Sequence, residues 1–370
     1  MRLLFTTAPL RGHLFPLVPL AWAARAAGHE VLVATTEAFA PVVLRCGLPV
    51  TSWGAAPDFV ELVGGEPPVT AESADLRRAE HGHAFGQIAR ACLPGARKLV
   101  DAWRPDLVVS ERAEFAGPLA AAAHDVPVVA YHWGVAPLTE YGRAAAIELA
   151  AAPPDPVRTL DPWPPGMRLP HALGHEGVQG GSFNGDVRLP DWVFEPRERP
   201  RVCVTFGTVL PGMAALGLRE TVAPMLKLLK ELDVELVVAA ADDVLADWPE
   251  LAAAADRAGR LPLAQVLPAC EAMVNHGGQG TVLTALEAGC PQLVLPQFDD
   301  QFDNAAAVAA AGAGLHLSLD EVSPERVAER CRALLDEPAF TTGAVRAAAA
   351  VRAQRSPAQV VGLLEKLVAA

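Results

Sequence analysis

What the chain lacks narrows it before any motif is read. No apolar run is long or continuous enough to cross a bilayer. The opening MRLLFTTAPLRGH begins like an export signal but runs into a Pro-Leu-Arg-Gly-His loop, with neither the apolar core nor the cleavage site of one. The cytoplasm is therefore the expected compartment. The six cysteines, Cys46, Cys92, Cys203, Cys270, Cys290 and Cys331, form no Cys-x-x-Cys and no metal-ligand spacing. They sit in apolar contexts and read as small core residues of a reducing compartment. Positive charge is also scarce: a net charge of −13 with no local basic patch argues against a nucleic-acid partner. Gly-x-Gly-x-x-Gly is absent, and so is the lysine of a Walker-type phosphate loop.

What is present is an alternating rhythm. At 370 residues the chain exceeds one comfortable core, and two domains are expected. MRLLFTT reads as a strand, PLVPLAWAARAAG as a helix opened by Pro16 and ended by Gly28, and HEVLVATT as the next strand. Strand, helix and strand within about 35 residues is a βαβ unit, which implies a parallel sheet with right-handed crossovers. PDLVVS and VPVVAYHW continue it around an Ala-rich helix over 115–124. Residues 54–85 and 137–192 break the rhythm, being rich in Pro, Gly and His, and are expected as long excursions at a cleft. After a Pro- and charge-rich linker near 185–200 the pattern restarts: VCVTFGT, VELVVAA, AMVNH and PQLVLP as strands, ETVAPMLKLLKEL and TVLTALEAG as helices. Ser323-Pro324 and the capping box Ser356-Pro357-Ala358-Gln359 open two final helices. Two α/β halves with a cleft between them are the expected architecture.

Three stretches carry chemistry. His276-Gly277-Gly278-Gln279-Gly280-Thr281 stands where a strand ends and a helix begins. Glycines admit a ligand close to the backbone, and a helix start offers free amides and partial positive charge. With His276 and Thr281 as further donors, the turn suits a diphosphate; a plain structural turn is the alternative. The cluster Gln297-Phe298-Asp299-Asp300-Gln301-Phe302-Asp303-Asn304 follows a strand end and suits several hydroxyls; alternatively Asp300 or Asp303 caps the next helix. His13, in Arg11-Gly12-His13 after the first strand, faces the cleft with a group suited to general base work, or is structural.

Together GHLFPLVPLAWAARAAGHEVLVAT, VTFGT, GRLPLAQVLPACEAMVNHGGQGT and PQFDDQFDNA resemble the nucleotide-sugar glycosyltransferases of the GT-B fold, specifically the bacterial antibiotic and macrolide type. The resemblance spans most of the chain and weakens through 54–100 and 140–185. It implies an α/β fold of two Rossmann-like domains facing across a deep cleft, with an acceptor domain over 1–190 and a nucleotide-sugar domain over 191–370. His13 would deprotonate an acceptor hydroxyl, which attacks the anomeric carbon with inversion. His276, Gly277, Gly278, Gly280, Thr281 and Thr208 would hold the departing diphosphate. Arg260 and Leu261 would meet the base, and Asp300 and Gln301 the sugar, with Asn304 supporting. Leu10, Trp53, Phe59, Phe85 and Trp133, with His81 nearby, would line the acceptor site.

The chain departs from the family pattern in places. Arg260 replaces an aromatic residue before the Leu-Pro step, and Asn275 replaces a second histidine. The acidic partner of the base is placed after PDLVVS, where Ser110 and Glu111 stand; Glu111 is the expected partner, with Ser110 and His132 as rivals. No metal and no cofactor beyond the donor is implied: no Asp-x-Asp occurs, and Asp242-Asp243 are adjacent and far from the signature. The resemblance favours a dTDP-linked 6-deoxyhexose and a hydrophobic, polyketide-like acceptor. A UDP-sugar epimerase of the same fold and a non-catalytic activator of a partner enzyme are the alternatives. A homodimer and a required activator protein stay open as partners.

Overall fold

Short runs such as Arg2–Thr6, Leu107–Glu111 and Arg201–Thr205 carry an apolar centre and are buried at nearly every position, as strands covered on both faces must be. The computed structural model describes residues 1–63, 74–180, 182–207 and 218–369, and every strand pairing among them is parallel. The first sheet holds β1 (Arg2–Thr6), β2 (Glu30–Thr35), β3 (Val50–Ser52), β4 (Leu107–Glu111), β5 (Val128–Tyr131), β6 (Arg158–Asp161) and β7 (Glu176–Gly177) in the order 3-2-1-4-5-6-7. The second holds β8 (Arg201–Thr205), β9 (Glu235–Ala239), β10 (Arg257–Gly259), β11 (Ala272–Asn275), β12 (Gln292–Val294) and β13 (Gly314–His316) in the order 10-9-8-11-12-13. These are two Rossmann-like halves, as expected.

In each sheet the strand order reverses at one place, between β1 and β4 and again between β8 and β11. There the connections leave to opposite faces and open a crevice at the strands' carboxyl ends. His13 follows β1 and Glu111 ends β4; Gly207 follows β8 and His276 follows β11. The carboxyl ends of the two sheets face each other. The loop after β5 donates Gly134 N–H to the Gln279 side chain, and Val135 N–H to Asn304 Oδ1 at 2.8 Å.

Several elements differ from expectation. The first helix begins at Arg11, not Pro16: Arg11–Leu14 is followed by a 3₁₀ turn at Phe15–Leu17 and then Val18–Ala26. Pro16 lacks an N–H to give and tightens the helical run rather than starting it. Much of the first irregular stretch is helix, since one helix runs unbroken from Ala74 to Trp103. The second stretch contains the helix Thr139–Leu149 as well as β6 and β7. Both capping signals near the chain's end hold. Ser323 accepts from Arg326 N–H at 3.2 Å, and Ser356 and Gln359 exchange bonds of 2.8 and 3.3 Å.

The final helix, Pro357–Ala369, leaves the second half. Its Val360, Val361 and Leu364 are buried in one cluster with Leu3, Phe5, Leu17 and Leu20 of the first. The crossing at 353–356 runs beside the outgoing linker, where Gln179 N–H donates to the Arg355 carbonyl at 2.8 Å.

Candidate active site

At the first switch point, His13 and Glu111 meet: Nδ1 lies 3.1 Å from Oε2, although the ring N–H is not aligned on that oxygen. Glu111 is fully enclosed. It accepts from Ala8 N–H at 3.0 Å, Ala113 N–H at 2.8 Å and the Trp133 indole at 2.7 Å. Burial alone would raise its pKa. The electrostatic pull of His13 beside it, with the bonds from Ala113 and Trp133, outweighs burial and holds the carboxyl below its usual range. Ser110 turns away, bonding the Glu111 and Glu114 carbonyls at 3.2 Å each. His132 lies elsewhere, against Arg112, His171 and His175, its pKa driven far down by burial and then by Arg112. Of the three candidates, Glu111 is the one beside His13.

The His13 ring packs between Phe85, at 5.3 Å between centroids, and the edge of Trp133, at 4.7 Å. Phe59 stacks on Phe85 at 4.5 Å. Phe59, Phe85, Trp133 and Trp53 all belong to one buried cluster, against which the partly exposed Leu10 packs. Trp53 and Phe85 also line a cavity of about 240 Å³ with Ile88, Cys92 and Glu114. The five expected acceptor residues thus form one apolar body, with Phe85 and Trp133 on His13 itself.

At the second switch point His276 is buried and neutral, its pKa pushed down to about 4 by burial, and its Nδ1 has no partner. Two glycines hold the ring. A Cβ on Gly207 would come within 2.5 Å of Cε1, and one on Gly278 within 2.4 Å of Nε2. Gly277 takes φ +88°, a left-handed value that favours glycine, so that its N–H reaches Asn275 Oδ1 at 2.8 Å. The helix Gln279–Ala288 then starts with no side-chain cap; Thr281, in its first turn, does not cap it. Exposed Gly280 faces a cavity region of about 450 Å³ shared with Phe15 and Pro16 of the first half, and Thr281 beside it is half-buried. Such an uncapped start is a place for an anion.

The polar cluster after β12 caps nothing. Asp299 occupies the N-cap position of helix Asp300–Ala310, but its side chain bonds elsewhere, and neither Asp300 nor Asp303 caps that helix. Asp300 Oδ2 accepts from Asn304 Nδ2 at 2.6 Å, and the same amide donates to the Gly277 carbonyl at 2.9 Å. Burial pushes the Asp300 carboxyl up to about 6, with Asp299 adding to the rise. Gln301 Oε1 accepts from Gln297 N–H at 2.9 Å and so braces its own loop. Arg260 is partly exposed and pairs with Asp186 of the linker at 2.9 Å, while Leu261 is half-buried beside it. Thr208 lies outside the described residues.

Several residues at the site carried no sequence signal. Arg112, pushed down to about 10 by burial, donates to the carbonyls of Trp133 at 2.7 Å and Ala136 at 2.9 Å and so props the loop beside His13. Gly134 lies so close to Asp300 that a Cβ would stand 2.6 Å from the aspartate Cβ. Tyr141 and Asp299 bond each other across the halves. The described residues also bring His132, Asp161 and His175 within metal-ligand reach of one another. There His175 sits 3.0 Å and Arg168 3.5 Å from the same Asp161 oxygen, so the carboxylate already has the Arg168 cation beside it.

A base on one sheet's switch point and an anion cradle on the other's suit one task, bringing an acceptor and an activated donor together across the gap. The fold and this site define a GT-B glycosyltransferase. Two family models match the chain: the C-terminal domain of erythromycin biosynthesis protein CIII-like proteins over residues 223–367, and their N-terminal domain over residues 22–207. The chain belongs to that family. An L-demethylnoviosyl transferase of Streptomyces niveus is 40% identical over 347 residues, covering 90% of this chain and 89% of its own. The glycosyltransferase SsfS6 of Streptomyces sp. SF2575, solved with thymidine diphosphate, superposes with a TM-score of 0.83 at 33% identity over 99% of each chain. The spinosyn rhamnosyltransferase SpnG, solved with spinosyn aglycone, gives 0.82 at 29% identity over 99% of this chain and 100% of its own. No described helix is long and apolar enough to cross a membrane.

Proposed function

We propose that the chain transfers a deoxysugar, a 6-deoxyhexose, from a dTDP-sugar to a hydroxyl of a polyketide-like aglycone, with inversion at the anomeric carbon. The acceptor half is 1–190 and the donor half 191–370, with the final helix returning to the former. The acceptor rests on Phe85 and Trp133, its hydroxyl against the free nitrogen of His13. His13 takes the proton as oxygen attacks, and Glu111 stabilises the imidazolium that forms. The sugar–phosphate bond breaks on the opposite face. The amides at the start of Gln279–Ala288, Thr281 and His276 take up the negative charge of the departing dTDP. Asp300 and Gln301 face the sugar hydroxyls, and Arg260 and Leu261 the base. No step requires a metal.

The observation that carries this reading is the buried, neutral His276 with an unsatisfied nitrogen, clamped by Gly207 and Gly278 beside an uncapped helix start. An unpartnered buried donor is costly unless a ligand uses it. SsfS6, bound to thymidine diphosphate, supports the nucleotide, and SpnG, bound to an aglycone, supports the acceptor class. Free thiols at all six cysteines support a reducing cytoplasm.

Calorimetric titration with dTDP and UDP, without added metal, tests the donor. Micromolar dTDP binding that weakens in His276→Ala is expected. A preference for UDP would redirect the donor, and binding of neither would overturn the site. A second copy or an activator protein enters the reading only if the chain binds dTDP yet fails to turn over.

A further inference from the structure

Asp299 precedes the proposed sugar-facing pair and has a backbone that its own side chain does not favour, φ +51° with ψ −119°. A non-glycine residue keeps such a conformation only where its surroundings impose it. Among the described residues, the side chains that bond Asp299 come from the other half of the molecule. Its Oδ2 accepts from the Tyr141 hydroxyl at 2.5 Å and is bonded by His81 Nδ1. Its carbonyl accepts from Arg78 Nη2 at 3.1 Å, and the same nitrogen reaches Asp303 Oδ2 at 3.2 Å. Asp299, His81 and Tyr141 are all buried.

The donors sit on a stiff platform. Arg78 and His81 belong to helix Ala74–Trp103, and Tyr141 to helix Thr139–Leu149. A Cβ on Gly82 would come 2.7 Å from the Tyr141 Cα and one on Gly86 2.8 Å from the Ala145 Cα, so the two backbones touch. Phe85, one turn beyond His81, lies 5.5 Å from Tyr141 and 5.3 Å from the His13 ring. The platform that grips Asp299 is therefore also the wall of the proposed acceptor site.

We propose that Arg78, His81 and Tyr141 are positioning residues for the donor sugar: by holding Asp299 they set the first turn of helix Asp300–Ala310, and with it Asp300 and Gln301. Of the other contacts on that turn, Asn304 on Asp300 and the Gln301 bond to its own loop come from the second half, while Gly134 of the first packs on the Asp300 side chain. The sugar-facing pair is complete only while the halves are together. An acceptor that packs on Phe85 thus tightens the site for the donor sugar, while the grip reaches the diphosphate turn around His276 at one remove, through Asn304, which bonds both Asp300 and the Gly277 carbonyl. This rests on Asp300 and Gln301 being the sugar-facing pair.

The test compares dTDP with dTDP-glucose by calorimetry, with and without an apolar hydroxylated acceptor, in wild type, Tyr141→Phe and Asp299→Gly. Glycine takes φ +51° without strain and so keeps the turn while losing the grip. Loss of a hydrogen bond to a charged group is expected to weaken dTDP-glucose binding about tenfold in either variant and to abolish its tightening by acceptor. Affinity for dTDP should fall less, within about twofold, because the turn around His276 keeps its own bonds, those of Asn275 and Asn304 to Gly277. In turnover, KM for the sugar nucleotide should rise more than kcat falls. Equal losses for dTDP and dTDP-glucose, or a reduced active fraction with unchanged constants, would show a structural role only and overturn the proposal. If wild type binds neither nucleotide, the donor reading itself fails, and that failure appears without any variant.

Discussion

Each switch point carries a histidine, after the first strand of one half and after the fourth strand of the other, and the two are treated in opposite ways. At the first, His13 has a carboxylate 3.1 Å away, and that carboxylate is itself held by two backbone amides and an indole. At the second, no charged group among the described residues shifts His276; burial keeps it neutral and its Nδ1 has no bond among them. The first arrangement suits a group that must gain a positive charge during a reaction, since the countercharge is already in place. The second suits a group that must stay neutral until an anion arrives. The same side chain at two switch points thus acquires different chemistry from what is packed next to it.

The sharpest way to break the comparison is to remove each histidine. His13→Ala should lower kcat by about 10²–10⁴-fold, the usual range for a lost general base, and leave dTDP affinity unchanged. Stopped turnover assays and calorimetry on the same preparation check both halves of that statement.

A third buried group tests whether burial without a partner charge behaves as it does at His276. Glu114 is pushed up to about 7 by burial, despite hydrogen bonds from Ala116 and Gly117 amides. Its folded-state pKa lies above the unfolded value of 4.5, so the folded chain retains a proton that the unfolded chain has lost. Stability should therefore fall as pH rises from 4.5 through about 7, by at most about 3 kcal/mol. Glu114→Gln should flatten that slope in urea unfolding at several pH values.

Next in size is the clamp on His276. Gly278→Ala places a methyl 2.4 Å from Nε2, and the ring must move. Affinity for dTDP should drop about 10–100-fold, matching His276→Ala, because either change removes a hydrogen bond to a charged phosphate. If Gly278→Ala binds normally, the clamp is not needed. The smallest effect concerns Asp300. Its carboxyl, lifted to about 6 mainly by burial, should become protonated as pH falls through 6, raising KM for the sugar nucleotide about tenfold. Asp300→Asn should lose that limb of the profile.

Much of this was legible in the sequence, for physical reasons. Parallel strands buried on both faces are continuous apolar runs, so β1, β2, β4, β8 and β9 announced themselves. His276 followed such a run directly and His13 followed one after a short loop. Short strands at or next to the sheet edges carry no such run: β10 is Arg-Ala-Gly and β6 is Arg-Thr-Leu-Asp. The helix Ala74–Trp103 was hidden by Gly82, Gly86, Pro94 and Gly95, which read locally as breakers. Tertiary contact explains the glycines: Gly82 and Gly86 let Thr139–Leu149 lie against the helix, and a Cβ on Gly95 would stand 1.9 Å from the Trp53 carbonyl. The Asp299 grip could not be read at all, since His81 and Asp299 are 218 residues apart and only the folded chain joins them.

The return of the final helix has a mechanical consequence. The chain passes between the halves twice, and the two passes are zipped side by side: Val178 bridges Arg355, and the Gln179 side chain bonds the carbonyls of Arg352 and Gln354 at 2.6 and 2.9 Å. A single tether would let one lobe swivel freely on the other. Two tethers laced together act as a door hinge with one pin, so that each opening and shutting swings the lobes along the same arc.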